Sequence, residues 1–115
     1  MMPFSDFKVG PARGVFAGLG KHWNAVLDDA QSYEGLRRAI VKQNDPDIGR
    51  FVEAVRRYAG VCSSGEYRLL LAVCALCDFG HLADDLSGSS TWQNITRGCD
   101  QEFRAAIAAC IEAAA

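Results

Sequence analysis

Three residues past the middle of the chain have the types and spacing of a metal site. Cys74, Cys77 and His81 stand at i, i+3 and i+7, so on one uninterrupted helix they would fall along a single stripe. Thiolate and imidazole are good zinc ligands, but a closed structural site takes four. The chain has no second Cys-x-x-Cys and no His pair to complete the set. Gly80 also interrupts the stretch before His81, and glycine disfavours a continuing helix. Both cysteines lie in the apolar run LLLAVCALC, residues 69 to 77, where a thiol serves as a small hydrophobe. Core packing is therefore expected, with no metal and no cofactor. Thiol–disulfide exchange is not expected either, because a reactive Cys-x-x-Cys places its first thiol at an exposed helix amino terminus.

His81 is followed by Asp84 and Asp85, with Ser87, Ser89 and Ser90 close behind. An imidazole beside carboxylates is acid–base equipment, yet catalysis also needs a nucleophile or metal and a pocket. The plainer expectation is a solvated helix end. A small enzyme or metal protein centred on His81 is the alternative that this cluster keeps open. Gly18-Leu19-Gly20-Lys21 invites comparison with a phosphate loop, whose mechanism requires a glycine five residues before the Gly-Lys pair and a hydroxyl after the lysine. Val15 and His22 occupy those places. The motif fails at both.

Arg37, Arg38, Lys42, Arg50, Arg56 and Arg57 form the notable basic group. On two consecutive helices they could share a face, which would suit nucleic-acid phosphates or an acidic protein. Glu34 and Glu53 stand among them, so a mixed-charge solvated surface is the default. Trp92, Trp23 and Tyr33 lie near element ends, and such aromatics serve either as interaction anchors or as fillers at the edge of a core.

These residues must be positioned by a chain of 115 residues, half of them apolar, which is enough for one core and too short for two. Twelve Lys and Arg against fourteen Asp and Glu leave a formal net charge of −2. That total gives no reason to expect nucleic acid or a polyanionic substrate. The nine-residue apolar run is half of what spans a bilayer, and the first eight residues lack the basic and apolar regions of a secretory leader. Five cysteines suit a reducing compartment. The expected setting is soluble and cytoplasmic.

Glycines at 10, 14, 18 and 20 with Pro11 predict an irregular amino-terminal arm over residues 1–20, since each helix-interior glycine costs about 1 kcal/mol. A single helical domain is expected over 21–115. Trp23, Val26 and Leu27 mark a first helix. Leu36, Ile40 and Val41 mark a second, capped by Ser32. Asp45 and Pro46 open a third whose stripe is Ile48, Phe51, Val52, Val55 and Tyr58, with Glu53 and Arg57 as an outer pair and Gly60 as a left-handed stop. Ser63 and Glu66 form a capping box for a helix to about Phe79, apolar nearly all round and so surrounded by the others. Gly80 should stop it, with one further turn over His81 to Leu86. A second box, Ser90 with Gln93, opens a short turn ending near Gly98. Asp100 caps a last helix with the stripe Phe103, Ala106, Ile107, Cys110 and Ile111. No period-two strand signal follows residue 20.

The sequence thus predicts an all-α fold: a compact orthogonal bundle of five to six helices around a central apolar helix, preceded by the arm. Its function is expected to be that of a small non-enzymatic protein-binding module, such as an inhibitor, immunity, adaptor or regulatory protein of bacterial or mobile-element type. Arg37, Arg38, Lys42, Arg50, Arg56, Arg57 and Trp92 are the expected partner-binding residues. The partner is another protein, a second copy of the chain included, and not a membrane. A nucleic-acid-binding regulator using the basic group is the runner-up.

Overall fold

In the computed structural model, which describes residues 1–44, 49–96 and 101–114, helices begin at once. The helices are α1 (Phe4–Val9), α2 (Pro11–Leu19), α3 (Lys21–Asp29), α4 (Tyr33–Asn44) and α5 (Arg50–Ala59), then α6 (Ser64–Leu76), α7 (Gly80–Ser87), α8 (Thr91–Thr96) and α9 (Gln101–Ala114). No strand occurs among the described residues. The fold is all-α, and its radius of gyration of 12.5 Å is that of a compact chain of this length, about 13 Å. The expected starts at Asp45, Pro46 and Asp100, the stripe position Ile48 and the stop at Gly98 lie outside the described residues.

The irregular arm expected over residues 1–20 is corrected by α1 and α2. Ala12, Val15, Phe16 and Leu19 of α2 are buried, as is Phe7 of α1. They fall at i, i+3, i+4 and i+7, one face of a helix. Burying each large apolar side chain contributes roughly 1.5–3 kcal/mol, which outweighs the glycines at about 1 kcal/mol each. Gly18 is also required by packing: a Cβ there would lie 2.0 Å from Cε1 of Tyr58. Its absence lets α2 press against α5. Polar contacts fasten the same segment. Lys8 Nζ donates to the carbonyls of Asp28 and Ala30 at the end of α3, where a cation suits the helix dipole. Tyr33 Oη donates to the Met2 carbonyl at 2.7 Å. The extra amino-terminal pair, together with the short segments α7 and α8 that form helices of their own, raises the helix number above the five or six expected, to nine among the described residues.

α6 buries Leu69, Leu70, Leu71, Ala72, Val73, Cys74 and Leu76 and packs against α2, α5, α7, α8 and α9. Its start is the expected capping box: Ser63 Oγ accepts from the Glu66 amide at 3.2 Å, and Glu66 Oε1 accepts from the Ser63 amide at 3.0 Å. Its end differs from expectation. The helix closes at Leu76 rather than near Phe79, because Asp78 adopts the left-handed conformation with φ 67°. The Phe79 amide returns to the Cys74 carbonyl at 2.7 Å and the Asp78 amide to Ala75 at 3.4 Å. This is a Schellman closure with aspartate in the place usually held by glycine. Gly80 does not stop α6; it is the first residue of α7.

Two other caps also differ. Gly60 is right-handed, φ −77° and ψ −12°, because the chain tightens into a further turn in which the Val61 and Cys62 amides both reach the Tyr58 carbonyl. The Ser90–Gln93 box is replaced by Ser87 Oγ, which accepts from the Ser90 amide at 3.1 Å. Ser32 caps α4 as expected, its Oγ accepting from the Gly35 amide at 3.0 Å.

Candidate functional site

The Cys74, Cys77 and His81 stripe does not form. The turn at Asp78 breaks the helix between them, so both thiols are buried while His81 is exposed at the start of α7. Among the described residues no group of three or more His, Cys, Asp or Glu side chains is placed to hold a metal. Cys74 and Cys77 instead share the interior with Cys110 of α9. Burial pushes the Cys74 thiol up to about 12 and raises those of Cys77 and Cys110 as well, the neighbouring thiols adding to it. Neutral thiols are poor nucleophiles and poor ligands. Their physical role is packing.

The acid–base cluster is dispersed too. Asp84 Oδ1 accepts from Thr91 Oγ1 at 2.7 Å, and Asp85 pairs with Arg56 at 3.7 Å. Neither carboxylate is bonded to His81 among the described residues.

The six basic residues fall at three separate clefts. Arg37, Arg38 and Lys42 line one of about 350 Å³ with Glu34 and Asp78. Glu34 Oε1 accepts from both arginines, at 3.1 Å and 3.2 Å. Arg50 and Arg57 face the α2–α3 junction across a cleft of about 300 Å³ that also contains Lys21, His22 and Glu53. The expected Glu53–Arg57 pair is absent there: Arg57 Nη2 donates to the Leu19 carbonyl at 2.8 Å, tying α5 to the end of α2. Arg56 belongs to a third cleft, of about 600 Å³, between the α5–α6 turn and Leu86 of α7. Tyr67 Oη donates to the Leu86 carbonyl at 3.2 Å and helps to close its floor. Cys62, half-buried in the same cleft, has its thiol raised by burial and by the Glu66 carboxylate.

Trp92 has a different character. Its side chain is 64% exposed, on a six-residue helix that buries nothing of its own. α8 is held in place from its start by polar bonds. Thr91 Oγ1 reaches Asp84 and lies 3.2 Å from Ser87 Oγ, while Asn94 Nδ2 donates to the Ser90 carbonyl at 2.8 Å. Ile95 packs against the core from the same helix. The indole therefore projects from a fixed support. The other tryptophan, Trp23, is buried and packs edge-on against Phe51, ring centres 5.1 Å apart.

Sequence reasoning did not separate these two tryptophans, and it missed Val61, which is 80% exposed on the α5–α6 turn. It also missed that Lys21 and His22 share a cleft with Arg50 and Arg57. The cleft joins positions some thirty residues apart, and no local pattern encodes that meeting.

No family model, no curated protein and no solved structure matches this chain.

Proposed function

We propose that this chain is a small, non-enzymatic protein-binding module of the inhibitor, immunity, adaptor or regulatory kind, and that Trp92 is its anchor. The carrying observation is the exposed indole on the pinned helix α8. A tryptophan left in water forgoes the gain of burying a large apolar surface. Truncating such an anchor at the centre of an interface costs 2 kcal/mol or more. Because α8 is already held by Asp84 and Ser87, docking would order little of it, which keeps the entropic cost of association low. The division of Arg37, Arg38, Lys42, Arg50, Arg56 and Arg57 among three clefts favours a protein partner over a nucleic-acid groove, where phosphate-contacting cations follow one track.

The test is affinity capture from the native host with the wild-type chain and with Trp92→Ala in parallel, both first shown to melt alike. A protein held by the wild type and lost from the variant supports the reading. Identical captured sets remove Trp92 as the anchor. Sedimentation of the purified chain covers the case in which the partner is a second copy.

A further inference from the structure

The largest of the three clefts plays no part in the anchoring role given to Trp92. It opens because α5 ends at Ala59 and the chain tightens at once, the Val61 and Cys62 amides both reaching the Tyr58 carbonyl. That turn leaves a hollow of about 600 Å³ between the start of α6 and Leu86 of α7, well inside the size range of small-molecule pockets. Ala59, Cys62, Tyr67 and Leu86 line it, and the polar side-chain groups they bring face partners within the protein. Tyr67 Oη donates to the Leu86 carbonyl at 3.2 Å, and Cys62 Sγ stands 3.9 Å from the Ala59 carbonyl. Ser63 Oγ is taken up by the α6 cap. What these residues leave for a guest is mostly carbon.

Among the described residues of the lining, Arg56 is the one that carries charge. Its side chain is exposed and its ion pair is loose. Nη2 lies 3.7 Å from Asp85 Oδ2, outside hydrogen-bond range, and an exposed pair of this kind contributes little. Glu66 also stands close, near enough to raise the Cys62 thiol, but its Oε1 is engaged by the Ser63 amide. A guanidinium offers a planar fork of donors that suits both oxygens of a carboxylate at once. A largely apolar hollow with such a fork in its wall calls for a guest with a carbon body and one anionic head. A dianion would leave charge uncompensated against apolar surface.

We infer that this cleft binds a small carboxylic acid in its ionised form, with the carboxylate on Arg56 and a compact aliphatic or aromatic body against Ala59, Tyr67 and Leu86. Cys62 takes no chemical part, because burial and the Glu66 carboxylate raise its thiol and a neutral thiol is a poor nucleophile. The guest is held and not converted. Binding here does not depend on Trp92 carrying a partner.

The experiment is an NMR titration of the full chain with hydrocinnamate, an aromatic carboxylate, at neutral pH and constant ionic strength. Saturable shifts of the Val61, Cys62 and Ser64 amides are expected. Acetate has the head without the body, and hydrocinnamide has the body without the charge. Acetate should not saturate over the same range, and hydrocinnamide should bind about fivefold more weakly, the loss of one charge-assisted contact. Arg56→Gln, at an exposed position, should weaken hydrocinnamate to the same degree. Asp85→Asn should tighten it about twofold, because the guest then has no competitor for the guanidinium; a merely apolar surface would not respond to that change. Lys42→Gln, in the α4 cleft, should leave binding as it is. Shifts that rise linearly without saturating would overturn the assignment, as would Arg56→Gln binding like the wild type. Hydrocinnamide or acetate binding as tightly as hydrocinnamate would overturn it too, and so would weaker binding by Asp85→Asn.

Discussion

Asp78 and Glu66, at opposite ends of α6, show how single side chains set the limits of an element. Asp78 closes the helix in the left-handed region at φ 67°, where an L side chain is strained. Its one ion pair among the described residues, with Arg37 at 3.9 Å, is open to solvent and contributes little. Asp78→Gly should therefore raise stability by about 0.5–1 kcal/mol, read as a higher midpoint in urea with an unchanged slope; a lower midpoint would show that the aspartate is favourable where it stands. Glu66 is held below the usual glutamate range, first by the Ser63 backbone amide and then by the Ser63 hydroxyl. A depressed folded pKa gives stability that is whole above the unfolded value and lost as pH falls through the folded one. Acidification from about pH 5 downward should lower the melting temperature of the wild type more steeply than that of Glu66→Gln, whose amide still accepts but does not titrate. Parallel curves would mean that the carboxylate charge is not linked to folding. The box itself was legible in the sequence, since Ser63 and Glu66 carry their spacing with them. The closure at Asp78 was not, because aspartate reads as a start signal and Gly80 offered a more obvious stop.

At the scale of elements, the amino-terminal helices show where local reading fails. Ala12, Val15, Phe16 and Leu19 spell a helical stripe as clearly as the one in α5, yet Gly14 and Gly18 between them read as breakers. What decides is a partner forty residues away: Tyr58 occupies the space that a side chain at position 18 would need. Gly18→Ala should therefore destabilise the protein by about 1–3 kcal/mol, as overpacking does, although alanine is the better helix former. In a Tyr58→Leu background the penalty should shrink or reverse, and a double-mutant cycle in denaturant measures the coupling. An unchanged penalty would place its cause elsewhere. α4, α5 and α6 were legible because their stripes are uninterrupted and Ser32 and Ser63 mark two of the starts.

For the molecule as a whole, the distribution of charge and aromatic surface matters more than any one contact. The candidate basic face was legible only as a list of residues; their division among three clefts follows from how α4 and α5 are turned against α2, α6 and α7, which sequence spacing does not encode. The tryptophans were likewise equivalent in the sequence and are opposite in the fold. Acrylamide should quench the fluorescence of the free protein in two components, an accessible one that disappears in Trp92→Phe and a protected one from Trp23. A bound protein partner seated on α8 should convert the first into the second. A single, fully protected component in the purified chain would instead indicate that α8 is already covered by another copy.

The sealed thiols of α6 and α9 give the molecule a built-in clock. A maleimide in the surrounding solution can modify Cys110 or Cys74 only during the moments when those two helices come apart. When closing is much faster than labelling, the rate of modification counts the fraction of time spent open. A ligand that steadies the closed form would slow that clock even if it sat on the far side of the protein.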